Sequence, residues 1–342
     1  MKEFFNKLLT GMSLGIVVCL IPNALVGEIL KLLIPYAPFL ETILNVSIIV
    51  MSLLPVIIGV MIGIQFKLTP IQTCSVGLAA FIGSGVTTVA TDGTMTIAGI
   101  GTVINIGLTA ALAVLFVQWL GTRLKDWTLL AMPALTIFLP GIIGLSILPY
   151  IKNSSLIIGE GIMYVTSLQP IVMGAIIAMI FSVLILSPIS TIGVATVIML
   201  SGIGAGAANL GVCASGVGMC IASYRANNFG TAIAHIASAK IQMRNFFMKP
   251  KIAFPMILTA GILGGLGGLF QVIGTPYSAG FGLAGFVGPL KYLNLVGWNT
   301  ESIIISITLF IALPIILNLV FLKLFEAKLK WLKYEDYKVT YE

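Results

Sequence analysis

Long apolar stretches recur along this 342-residue chain and are separated by short polar segments. Each stretch holds about 20 residues, the length that an α-helix needs to cross a hydrocarbon core of roughly 30 Å. We therefore predict an all-α polytopic membrane protein in which residues 1 to 342 form one transmembrane domain. The pattern predicts ten crossings: 10 to 33, 43 to 66, 71 to 90, 104 to 121, 128 to 150, 169 to 187, 188 to 204, 207 to 223, 252 to 273 and 300 to 322.

The glycine-rich sequence "SGIGAGAANLG" (201 to 211) interrupts this pattern between two crossings. It carries Asn209, a polar residue in otherwise small and apolar surroundings. Either a tight hairpin between two crossings or a broken helix at membrane depth would explain it. Irregular backbone at that depth is tolerated only where protein or water satisfies its peptide groups.

A second interruption, "GTPYSAGFG" (274 to 282), shares a frame with "GTMTIAGIG" (93 to 101), 181 positions earlier. Flanking pairs such as Gly83 and Gly264, or Gly107 and Gly288, keep the same offset. This predicts an internal duplication with units around 71 to 121 and 252 to 322. The repeats would be parallel with ten crossings and inverted if 188 to 223 crosses once. The alternative is that the glycines only let helices pack closely, which we favour for "GILGGLGG" (261 to 268).

We interpret 93 to 101 and 274 to 282 as re-entrant or unwound backbone, because both carry polar groups that packing does not require. In transporters, unwound segments of corresponding halves often form the binding site. An ionisable residue at membrane depth is also a functional candidate. Glu160 lies between Gly159 and Gly161, and it or Asp92 could instead be a loop carboxylate at the outer surface. The substrate-binding candidates are Asp92, Gly93, Thr94, Glu160, Asn209, Gly274, Thr275 and Ser278.

Composition strengthens the membrane assignment. The chain is 58% hydrophobic and only 8% charged, with a mean hydropathy of +1.12 and a net charge of +7. Lysines and arginines cluster between the apolar stretches, so orientation in the membrane explains them better than nucleic-acid binding does. With ten crossings all clusters fall on one side, which predicts a multi-pass protein with both termini cytoplasmic. The first apolar stretch is too long for a cleaved signal and is expected to be an uncleaved helix.

Catalytic and cofactor motifs are missing from the sequence. It has no Walker A loop, no HExxH and no nucleophile elbow. The four cysteines lie in apolar segments without metal-binding spacing. We therefore expect no cofactor, no metal and no catalytic residue, and we exclude an ATP-driven pump in one chain.

The polar segment 225 to 251 has helical periodicity. Thr231, His235, Ser238, Gln242, Asn245 and Lys249 form a polar stripe opposite an apolar face. This predicts a cytoplasmic amphipathic helix that lies against the membrane or caps the bundle. Lys240 and Arg244 are expected to reach lipid headgroups, with a binding cavity as the alternative. The gating or partner-facing candidates are His235, Lys240, Gln242, Arg244 and Asn245.

The sequences "KIQMRNFFMKPKIAFPMILTAGILGG" (240 to 265) and "IGTPYSAGFGLAGFVGP" (273 to 289) resemble the membrane IIC component of phosphotransferase-system sugar permeases. The likeness is greatest to the stand-alone, PfoR-like group, which includes a regulator of perfringolysin. It implies a dimeric, all-helical bacterial transporter of about ten crossings with re-entrant hairpins and cytoplasmic termini. Such systems also need IIA and IIB domains, and neither fits in this chain. Separate IIA and IIB proteins could phosphorylate the solute, or the chain could transport it unmodified.

These observations predict transport of a small, sugar-like polar solute through the lipid membrane by alternating access. Unwound backbone at 93 to 101 and 274 to 282 would recognise the solute, and 225 to 251 would gate the inner side. The alternative is a membrane-embedded solute sensor or regulator without net transport, because the chain has no energising domain.

Overall fold

The computed structural model describes residues 2–90 and 92–339. Their contacts divide the chain into two compact units. Among the described residues, the first unit holds 2–23 and 33–154, apart from residue 91, and the second holds 24–32 and 155–339. The single transmembrane domain that the sequence predicts stays a prediction.

The first unit is built from helices and one short hairpin. In chain order its elements are α1 (Lys2–Leu33), α2 (Leu40–Ser52), α3 (Leu54–Gln65), α4 (Pro70–Gly83), β1 (Thr87–Val89), β2 (Met95–Ile97), α5 (Val103–Leu120) and α6 (Thr128–Val165), of which α1 and α6 also contribute residues to the second unit. Helices α2 and α3 meet at a bend of 51°. Pro55 in the first turn of α3 has no N–H to continue the helical hydrogen bonds, which accounts for the bend.

The second unit is entirely helices and loops among its described residues. Its α-helices are α7 (Pro170–Leu184), α8 (Thr191–Val197), α9 (Gly202–Ala226), α10 (Phe229–Ala237), α11 (Met243–Met248), α12 (Phe254–Leu269), α13 (Val287–Val296), α14 (Thr300–Ile307) and α15 (Leu313–Lys323). Two π-helical turns, Thr308–Ala312 and Leu324–Lys328, follow α14 and α15. Short 3₁₀ turns cover Ala239–Gln242, Pro250–Ala253, Ala284–Phe286 and Tyr334–Tyr337.

Glycines bring α7, α9 and α12 into backbone contact at the centre of the second unit. A Cβ on Gly264 would lie 2.2 Å from the carbonyl oxygen of Gly174, and one on Gly211 would lie 2.1 Å from that of Ala178. Close approach of this kind increases dispersion contacts between helices in lipid. The predicted packing role of 261 to 268 is thereby confirmed.

Six helical stretches of the described chain are long and apolar enough to cross a membrane. They are Glu3–Leu20, Val103–Leu120, Thr128–Ser154, Gly202–Ala226, Pro250–Leu269 and Thr300–Lys328, and the bent pair α2 and α3 would make a seventh. The all-helical membrane architecture is therefore confirmed, but ten crossings and a repeat stay predictions. Helices α4 and α7 have only 14 and 15 residues, short of the 20 or so that a crossing needs.

Two local predictions are wrong. The sequence 202 to 211 is regular helix within α9, and the chain breaks before it, between α8 and α9, where Met199 and Gly202 have φ values of +51° and +59°. Segment 225 to 251 is not one helix, because Ser238 is extended at the end of α10 and Lys249 has a non-helical backbone after α11.

Candidate functional site

The segment 274 to 282 is unwound, as its glycines and proline predict. It begins where Gly274 pairs with Gly202 at the start of α9. Each residue donates its N–H to the carbonyl of the other, and both N–H to oxygen distances are 3.0 Å. The first residue of the segment is therefore fixed to the first residue of α9.

A compact turn follows at Thr275 and Ser278. The Ser278 hydroxyl oxygen accepts the Thr275 N–H at 2.9 Å and lies 3.2 Å from the Thr275 hydroxyl. Ser278 is buried, whereas Tyr277 at the tip of the turn is 72% exposed. The serine side chain therefore holds the turn closed from inside while the tyrosine lies outside it.

Side chains of α8 and α9 bind further peptide groups of the unwound segment. Asn209 Oδ1 accepts the N–H groups of Phe281 at 3.2 Å and Gly282 at 3.1 Å. The Thr191 hydroxyl donates to the carbonyl of Gly280 at 2.9 Å. Non-helical backbone inside a membrane protein needs internal partners of this kind, because lipid offers none.

Glycine is required at the end of this segment for two reasons. Gly280 and Gly282 have φ values of +85° and +63°, a left-handed conformation that strains other residues. A Cβ on Gly282 would also lie 2.8 Å from the Cys213 backbone nitrogen. The segment can lie directly on the helix backbone only because these side chains are absent.

The matching segment 93 to 101, in the first unit, has a different environment. Strands β1 and β2 form an antiparallel hairpin in which Thr87 pairs with Ile97. Asp92 accepts the Thr94 N–H at 2.8 Å, and this hydrogen bond holds the pKa of the Asp92 carboxyl below its usual value. Asp92, Gly93 and Thr94 are all exposed. These three candidates therefore form a hairpin turn at the surface of their unit.

Glu160 is exposed and lies in the last turns of α6. Asn209, Gly274, Thr275 and Ser278 come together in one place, and no hydrogen bond joins Glu160 to them within the described part of the second unit. The described residues also contain no group of three or more His, Cys, Asp or Glu side chains placed to hold a metal ion.

Comparison of the sequence with known protein families shows which family this membrane protein belongs to. A family profile described as "Phosphotransferase system, EIIC" matches residues 6–339, nearly the whole chain. The chain belongs to the EIIC family of the phosphotransferase system. No curated protein and no solved structure shows a significant match. The resemblance found in the sequence is thereby confirmed, and the family's activity is membrane sugar transport together with separate IIA and IIB proteins.

In this EIIC chain the gating or partner-facing candidates lie between the spans that end at Ala226 and begin at Pro250. His235 is fully buried, and its Nδ1 lies 2.7 Å from the Thr231 carbonyl oxygen. Burial lowers the pKa of His235 to about 4, so the ring is neutral at pH 7. Within the predicted polar stripe, Ser238 and Gln242 are also buried, and Asn245 and Lys249 are half-buried. The opposite face is mixed, because Phe229 is 66% exposed and Met243 is fully buried.

Lys240 corrects a prediction. It does not reach lipid headgroups, because it is 6% exposed and its ammonium donates to the carbonyls of Ser187 at 2.5 Å and Ile189 at 2.7 Å. These carbonyls belong to the turns after α7, where a helix end leaves acceptors without helical partners. Burial lowers the pKa of Lys240 to about 7. Arg244 is half-buried.

Gln242 and Asn245 bind the C-terminal segment around Tyr337, for which the sequence predicted no contact. Gln242 donates to the carbonyl of Tyr337 at 2.8 Å, and Asn245 donates to that of Lys338 at 2.9 Å. Asn227 also donates to Tyr337 and accepts the Val339 N–H. The buried Tyr337 ring anchors this C-terminal segment. In the sequence, Tyr337 is one of several aromatic residues in a charged tail, and nothing local marks it as the buried one.

Proposed function

We propose that this EIIC chain carries a small, sugar-like polar solute across the bacterial plasma membrane by alternating access. The observation that carries the proposal is the unwound segment 274 to 282, which lies on α9 with its peptide groups held by side chains of Thr191, Asn209 and Ser278. Family membership supports sugar transport in general, and this segment is the part of the chain best suited to recognise hydroxyl groups.

Sugar hydroxyls both donate and accept hydrogen bonds, so a site for them needs donors and acceptors in fixed positions. We assign direct contact to Gly274 and Thr275, whose hydroxyl contacts Ser278 and keeps a lone pair for a solute. Asn209 and Ser278 are positioning residues, because their buried side chains shape the backbone.

The second half of the proposal concerns 93 to 101. Gly99 and Gly101 have φ values of +73° and +69°. Gly280 and Gly282, which lie 181 positions later, also have positive φ values, +85° and +63°. This shared backbone conformation supports the proposed repeat and a corresponding role for Asp92, Gly93 and Thr94 in solute entry. We assign Glu160 to the same entry role.

The remaining finer features rest on the family and on charge distribution. We propose a ten-crossing arrangement, a homodimer and cytoplasmic termini. His235, Lys240, Gln242, Arg244 and Asn245 would then gate the inner side, where separate IIA and IIB proteins deliver phosphate to the solute. Burial of His235, Lys240 and Gln242 supports a role inside the moving part of the protein rather than at the lipid.

Uptake into proteoliposomes tests the proposal. The purified protein is reconstituted and supplied with a panel of radiolabelled sugars and polyols, with and without separate IIA and IIB proteins. Saturable uptake of at least one sugar is expected, with its phosphate ester as product when the IIA and IIB proteins are supplied already phosphorylated. Binding without uptake would overturn transport and favour a sensor, and the absence of any solute-dependent signal would overturn both.

A further inference from the structure

A cleft of about 460 Å³ lies in the second unit, away from the 274 to 282 segment, between the last turns of α9 and those of α15. Its volume is within the range of small-ligand sites, about 300 to 1,000 Å³. Eight described residues line it: the apolar Ile221, Ala222, Leu319, Leu322 and Ala327 and the charged Arg225, Lys323 and Glu326. The solute proposal uses none of these residues.

The charged end of the cleft carries a net positive charge. Arg225 and Glu326 form an ion pair, so the carboxylate is already neutralised by a cation from the facing helix. Lys323 is exposed and forms no ion pair with another described residue. A ligand with one negative charge would therefore find an ammonium at this end, beside a guanidinium that is 59% exposed.

The apolar and charged residues follow one another in the same order on both helices. Ile221 comes one turn before Arg225 on α9, and Leu319 comes one turn before Lys323 on α15. Both helices belong to membrane spans, Gly202–Ala226 and Thr300–Lys328, that end with these charges. The apolar end of the cleft therefore faces hydrocarbon, and its charged end lies at the boundary with water.

We propose that this cleft binds an acidic phospholipid. Its phosphate lies at Lys323 and Arg225, and the first part of an acyl chain lies along Leu319, Leu322 and Ile221. Basic pockets between membrane helices bind acidic headgroups for the same electrostatic reason. A free sugar is a poor occupant, because five of the eight lining residues have aliphatic side chains that offer it no hydrogen bonds.

Native mass spectrometry of the detergent-purified protein, without any transport solute, tests this site. The probes are phosphatidylglycerol and phosphatidylethanolamine with identical acyl chains, so that headgroup charge is the main difference. We expect preferential retention of phosphatidylglycerol and a loss of about fivefold in Lys323→Gln, the effect of one basic residue near an acidic lipid. The matched control is Lys330→Gln, an equally charged and exposed position outside the cleft.

A second variant and two soluble probes separate the outcomes. Leu319→Ser weakens the acyl wall without changing charge, and it should also lower phosphatidylglycerol retention. Size-exclusion profiles and thermal midpoints establish that both cleft variants are folded. Equal retention of the two lipids, or an equal loss in Lys330→Gln, would overturn the proposal. Competition by inorganic phosphate or glycerol phosphate as strong as that by phosphatidylglycerol would identify a free-anion site and overturn the lipid assignment.

Discussion

Gly202 and Gly274 exchange two backbone hydrogen bonds, each 3.0 Å between nitrogen and oxygen. This pairing joins the first residue of α9 to the first residue of the unwound segment. Gly202 has a φ of +59°, so any other residue would strain the pairing. The segment is therefore attached to α9, the most buried span of the described chain.

The contact between α9 and the end of α12 predicts a steric effect at Gly206. A Cβ there would lie 1.9 Å from the Val272 carbonyl oxygen, so Gly206→Ala should reduce the free energy of unfolding by about 1 to 3 kcal/mol. At Gly161 no atom lies within 4 Å of the added carbon, and Gly161→Ala should stabilise α6 by up to about 1 kcal/mol. Thermal midpoints in detergent compare the two, and equal midpoints would contradict this packing.

Asn209 should control the exchange of two amide hydrogens. Asn209→Ala removes the acceptor for Phe281 and Gly282, and a buried N–H without a partner costs about 1 to 3 kcal/mol. Asn209→Asp keeps an oxygen at the same place in either protonation state. Hydrogen exchange by mass spectrometry should therefore show faster exchange at 281 and 282 in the alanine variant than in the aspartate variant. Identical exchange in both would rule out the assigned role.

The sequence predicted the unwound segment because its cause is local. Glycines with left-handed backbone, Pro276 and a short polar turn leave helix formation unfavourable whatever surrounds them. The partners of the segment could not be predicted in the same way. Thr191 and Asn209 lie 89 and 73 positions from the groups that they bind. A single sequence does not show which residues so far apart come into contact.

Lys240 should make stability depend on pH. Its pKa is about 7 in the folded protein and 10.5 when unperturbed, so the unfolded state binds more protons between these values. The free energy of unfolding should rise with pH from about 7 towards 10.5, by at most about 1.4 kcal/mol per pH unit. Lys240→Met should remove this rise, whereas exposed Lys330→Met should keep it. Denaturant titrations at several pH values measure the slope, and a slope unchanged in Lys240→Met would disprove the assignment.

The burial of Lys240 was not predictable from helical periodicity. An amphipathic pattern gives a polar and an apolar face but not which of them the bundle covers. Here Lys240, which is not part of the polar stripe, is covered because carbonyls after α7 accept its hydrogen bonds. Gln242 of the stripe is covered because the C-terminal segment supplies its partner. Tyr337 lies outside segment 225 to 251, and its partners Asn227, Gln242 and Ile252 are 110, 95 and 85 positions away in the sequence.

Tyr337 should anchor the C-terminal segment through its ring. The side chain is fully buried, so Tyr337→Ala should cost about 3 to 5 kcal/mol, the usual loss for a large buried aromatic residue. Tyr337→Phe removes only the 3.3 Å hydrogen bond to the Ile252 carbonyl and should cost about 1 kcal/mol or less. Thermal midpoints and the rate of protease cleavage after Lys333 report the difference. Equal effects of the two variants would show that the ring does not anchor the segment.

We propose that the segment 274 to 282 recognises the transported sugar. The KM for uptake of that sugar into proteoliposomes by Thr275→Ala and Thr275→Ser tests this role, with the thermal midpoint of each variant measured alongside. Loss of one hydroxyl contact should raise the KM of the alanine variant about fivefold, corresponding to roughly 1 kcal/mol, while the serine variant stays near the wild type. A wild-type KM in Thr275→Ala would contradict the claim.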